Sequence, residues 1–93
     1  MAHDYHVARD LAARIALLDA SAKAELDGCL EALMADPTPD DITRVALPPF
    51  FPYRPGAISA KCGQFSIGYT ITNHGMVLDI YSIYPLPDLP AVQ

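Results

Sequence analysis

Ninety-three residues, 52% of them apolar, suffice for one modest core but not for two, and they exclude a disordered segment. A net charge of −5, with cations only at Arg9, Arg14, Lys23, Arg44, Arg54 and Lys61, excludes a general electrostatic grip on nucleic acid, which needs clustered Lys and Arg. No apolar run approaches the roughly 18 to 20 residues that cross a bilayer, and Met1 to His6 lacks the basic-then-apolar layout of a signal peptide, so a cytoplasmic protein without membrane contact is expected.

Residues 1–6 are short and mixed, and Tyr5 to Val7 is either the end of a strand or the lead-in to a helix. From Val7 the spacing turns helical: Val7, Leu11, Ile15 and Leu18 form one apolar stripe. Ser21 is the expected N-cap of a second helix from about Ala22 to Ala35, with Leu26, Cys29, Leu30, Leu33 and Met34 on its core side. Asp36-Pro37 ends that helix, because the residue before proline is pushed out of helical geometry. The short connection makes the two helices an antiparallel hairpin.

Pro37 to Asp41 reads as a loop, or as one helical turn capped by Thr38. Ile42 to Leu47 suits a short strand. Pro48 to Pro55 is a proline-stiffened surface segment, since proline donates no ladder hydrogen bond. Ala57 to Lys61 is a further strand, turned at Cys62-Gly63 into the strongest pattern of the chain. There Phe65, Ile67, Tyr69 and Ile71 alternate with Ser66, Gly68, Thr70 and Thr72, the period of a half-buried strand. Asn73-His74-Gly75 supplies a hairpin turn, and Met76 to Tyr84 the returning strand. The proline-punctuated tail, 85–93, is expected to run extended along the surface.

The expected fold is therefore α+β, a single domain over 1–93. A helical hairpin (about 7–35) packs on a three- to four-stranded antiparallel sheet (about 42–84). Cys29 and Cys62 are too few for a disulfide scaffold and lack zinc-site spacing; they read as reduced, buried residues.

These landmarks resemble the RelE/ParE family of toxins from bacterial type II toxin–antitoxin systems. The segment Leu26-x-x-x-Leu30-x-x-Leu33-Met34-x-Asp36-Pro37 matches the end of the family's helical hairpin. Phe65 to Ile71 matches its Gly-aromatic-Arg-Ile-x-Tyr strand, and Met76 to Ile83 its last strand. One departure stands out: the arginine of that strand is Ser66 here, which supplies no charge to a phosphate in the transition state.

The resemblance implies a divergent toxin of such a system. It is either an mRNA interferase with a degenerate active site, acting as a ribosome-dependent endoribonuclease, or a non-catalytic protein-binding module, gyrase-directed or non-toxic. For catalysis it points to Tyr84, near the end of the last strand, for proton transfer, with Arg54 and Lys61 for phosphate contact. Implied partners are a cognate antitoxin and either the ribosome with its mRNA or DNA gyrase.

Phe50, Phe51 and Tyr53, in the stiff loop, either cover the core edge or present preordered apolar area to a protein partner. His3, Asp4 and His6 lie too near the terminus to be read as a metal site, and neither metal nor cofactor is expected. A third reading is an unrelated small α+β domain that dimerises through an apolar edge.

Overall fold

The computed structural model describes residues 4–40, 42–48, 55–72 and 77–88. The chain runs β1 (Asp4–Val7), α1 (Arg9–Ile15), α2 (Ala20–Ala35), β2 (Arg44–Ala46), β3 (Ile58–Cys62), β4 (Phe65–Thr72) and β5 (Val77–Tyr84). The strands form one five-stranded sheet in the order β1-β5-β4-β3-β2. Pairing is antiparallel from β2 through β5, while β1 lies parallel to β5. The α+β expectation holds. The sheet differs from the expected antiparallel one by its parallel edge strand, which Tyr5 to Val7 form and which α1 and α2 help to separate in sequence from its partner.

The longer helix, α2, begins and ends for local reasons. Asp19, not Ser21, caps α2: its Oδ1 accepts the Ala22 amide at 2.7 Å, so the helix starts two residues before the expected position. At the other end Asp36 is extended, as Pro37 requires. Leu26, Cys29, Leu30 and Leu33 of α2 and Leu11 of α1 are buried against one sheet face. That face contributes Ile58, Ala60, Phe65, Ile67, Tyr69, Leu78, Ile80 and Ile83.

The last three of these expose a break in the alternation of β5. Gly68 pairs with Ser82 and Tyr69 with Ile80, so Tyr81 is an extra residue, a β-bulge. The bulge lets Ile80 and Ile83, three apart, both face the helices. It also turns Tyr81, Ser82 and Tyr84 away from them. Without it, Tyr84 would project into the core layer.

Two expectations need correction. Cys29 of α2 and Cys62 of β3 are not reduced: they form a disulfide, with Cα atoms 5.8 Å apart. Both lie in the layer between helix and sheet, where the packing brings two distant positions within bridging reach. The described part of the tail is also more than a surface strip. Leu86 joins the core, and the Arg14 guanidinium donates to the Leu86 and Pro87 carbonyls at 3.0 and 2.9 Å. The hairpin turn at Asn73-His74-Gly75 and the proline-rich stretch 49–54 lie outside the described residues.

Candidate functional site

The face of the sheet away from the helices is built from the residues between the core positions. Near the β3–β4 turn the registers Lys61↔Ser66 and Ser66↔Tyr84 place these three residues side by side on β3, β4 and β5. Paired residues on adjacent strands point to the same face, so the row is contiguous. Two residues along, Ser59, Gly68 and Ser82 form a second row. Between them opens a shallow groove of about 180 Å³ lined by Leu47, Ser59, Ser66, Gly68, Tyr81, Ser82 and Tyr84.

Gly68 shapes the floor of this groove. A Cβ there would meet the Tyr81 ring at 3.1 Å, so the missing side chain is what lets the bulged tyrosine lie across β4. Tyr84 stands at the rim, 72% exposed. Three serines and two tyrosines are among its lining residues, so hydroxyl groups stand within a mostly apolar surface. Lys61, exposed at the end of its row, is the cation that the register brings nearest. Such a surface offers hydrogen bonds and aromatic contact rather than concentrated positive charge.

Of the residues expected at the site, Tyr84 and Lys61 thus lie in one row, on either side of Ser66. Arg54, Phe50, Phe51 and Tyr53 lie outside the described residues. Tyr84 is the tyrosine expected from the sequence, and the groove also contains Tyr81. The spacing Leu78, Ile80, Ile83, two and then three, is the signal that reveals the bulge.

A second polar cluster, at the β2 edge, is structural. Asp40 accepts hydrogen bonds from the amides of Ile42, Thr43 and Arg44 and from the Thr43 hydroxyl, all within 2.8–2.9 Å. These donors, the Arg44 amide foremost, hold its carboxyl far below the usual carboxylate range. The Thr38 amide similarly lowers the pKa of Asp36. Arg44 donates through Nε to the Thr38 carbonyl at 2.6 Å and approaches Asp40 and Asp36 at 3.5 and 3.8 Å. Tyr69, fully buried, completes the knot by donating its hydroxyl to the Pro37 carbonyl at 2.7 Å, and burial pushes its phenol up to about 12. It stays neutral and serves as a strut between β4 and the loop after α2.

No family model and no curated protein matches the sequence. Among solved structures, the fold matches a chain in the crystal structure of the toxin–antitoxin complex RelBE2 from Mycobacterium tuberculosis. The TM-score is 0.66 at 14% identity, over 89% of this chain and 96% of the other. At that identity the likeness establishes a shared fold over most of both chains.

Proposed function

We propose that this protein is the toxin component of a bacterial toxin–antitoxin pair, a divergent RelE/ParE-like member whose partner is a cognate antitoxin. The observation that carries the reading is the fold shared with a chain of the RelBE2 complex over nearly the whole of both proteins. It is supported by an open sheet face on which Lys61, Ser66 and Tyr84 line up beside an aromatic groove.

Within this reading the chemistry divides on one residue. Cleaving an RNA phosphodiester requires a proton acceptor and cations on the pentacovalent phosphate. Tyr84 and Lys61 suit the two roles by position, with Arg54 as a further phosphate contact. Ser66 occupies the middle of the row with no charge, which favours a weak ribosome-dependent endoribonuclease or a non-catalytic binder of the ribosome or gyrase. The acidic net charge of −5 adds weight to the binder, since free RNA gains little from it electrostatically.

Induction of the wild type in bacteria is expected to arrest growth, and co-expression of the product of a short neighbouring gene to relieve the arrest. Ribosome-dependent mRNA cleavage by wild type but not by Tyr84→Phe supports the nuclease. Arrest without cleavage supports the binder. Unimpaired growth with no affinity for a neighbouring product contradicts the toxin reading.

A further inference from the structure

The turn joining β3 to β4 is tied to α2 in two independent ways. One is the Cys29–Cys62 disulfide, which closes a separation of 33 residues. The other is Glu25, one helical turn before Cys29. Its carboxylate accepts the Gln64 backbone amide through Oε1 and the Gln64 side-chain amide through Oε2, both at 2.9 Å. Gly63, between the two ties, has a positive φ of 56°, and a Cβ there would collide with the Glu25 carboxylate. The turn is thus shaped to receive this carboxylate, with or without the covalent bond.

Of the two bonded sulfurs, that of Cys62 belongs to the more accessible residue, whereas Cys29 is 3% exposed. A cleft of about 170 Å³ opens at the disulfide, with Cys29, Ala32, Leu33, Thr43, Arg44 and Cys62 among its lining residues. Small thiol reagents fit such an opening. The turn also connects Lys61 to Ser66, two members of the open-face row.

We propose that the Cys29–Cys62 disulfide is a redox latch, opened by a dithiol reductant, that acts in parallel with the Glu25 clamp to hold the β3–β4 turn. A reductant thiolate attacks the Cys62 sulfur, forming a mixed disulfide; the electron pair of the broken bond leaves on the Cys29 sulfur, which takes up a proton. The second thiol of the reductant then attacks its own bound sulfur, closing the reductant's disulfide and releasing Cys62, which is protonated in turn. Two electrons pass to the protein and two thiols appear. In the reduced chain the Glu25 clamp remains, beside the weak contact of the Cys29 thiol with the Cys62 carbonyl at 3.4 Å, so the fold persists while the turn loosens. A reducing compartment favours the open latch and an oxidising one the closed latch.

The test compares wild type and Glu25→Ala, each before and after dithiothreitol at neutral pH without denaturant. Thiol titration is expected to rise from none to two per chain, with the far-ultraviolet circular dichroism unchanged. Amide exchange is expected to quicken over residues 61–66 and to stay slow in the middle of β4 and β5. At the turn's other amides, Lys61 and Cys62 among them, Glu25→Ala should add only slightly to exchange in the oxidised protein and roughly tenfold in the reduced one, as coupled contacts do; Gln64 itself loses its acceptor in both states.

Four results overturn the proposal. They are two free thiols before any reductant, reduction only in denaturant, loss of the whole fold on reduction, or an equal effect of Glu25→Ala on Lys61 and Cys62 in both redox states.

Discussion

The two faces of β4 carry different kinds of residue for different purposes. Toward the helices stand Phe65, Ile67 and Tyr69, each at most 2% exposed and packed into the core. Toward the other side stand Ser66, Gly68 and Thr70, small or hydroxyl-bearing, and the first two of these line the candidate groove. One strand therefore buries large side chains in the core on one side, while on the other it carries only small ones, with Gly68 covered by Tyr81. Since alternate residues seldom share partners across a sheet, substitutions on the two faces should separate stability from activity.

The largest effect belongs to the helix face. Ile67→Ala should lower stability by about 2–5 kcal/mol in urea or guanidinium unfolding, since it deletes most of a fully buried side chain at the sheet centre. Ser66→Ala, one residue away, should stay within about 0.5 kcal/mol of wild type. A comparable loss at both positions would break the contrast between the faces.

Tyr69→Phe sharpens it from within the core face. The ring remains, but the buried Pro37 carbonyl loses its donor, at a cost of about 1–3 kcal/mol. A smaller loss than that of Ile67→Ala is the expected order.

A further effect lies at the β2 edge and depends on pH. The folded pKa of Asp40 is depressed, so its contribution is fully present above the unfolded value near 4 and is lost as pH falls through the lower folded value. Asp40→Asn should therefore reduce the melting temperature at neutral pH, and the gap to wild type should narrow as pH falls from about 5 to about 2. A gap that stays constant over this range would show that the ionised form of Asp40 is not what the loop holds.

Much of this division was legible in the sequence. The alternation of Phe65 to Thr72 marks a half-buried strand, and Asp36-Pro37 marks where α2 stops; both are local signals. The parallel pairing of β1 with β5 was not legible, because it joins Asp4–Val7 to Val77–Ile80 across most of the chain. The disulfide was hidden for the same reason: nothing local distinguishes Cys29 and Cys62 from ordinary buried residues. Tyr84 and Lys61 follow from the family resemblance, but their common row depends on the register across β4. The bulge at Tyr81 sets the face on which Tyr84 emerges. Its trace in the sequence is a single three-residue step between Ile80 and Ile83.

The claim that the open face performs the work while the helix face holds the fold has a direct test. Growth arrest on induction and the melting temperature are measured for wild type and for a Lys61→Ala, Tyr84→Ala double variant. The expected result is arrest by wild type, none by the variant, and closely similar melting temperatures. Arrest by a folded double variant, or no arrest by wild type, would contradict it.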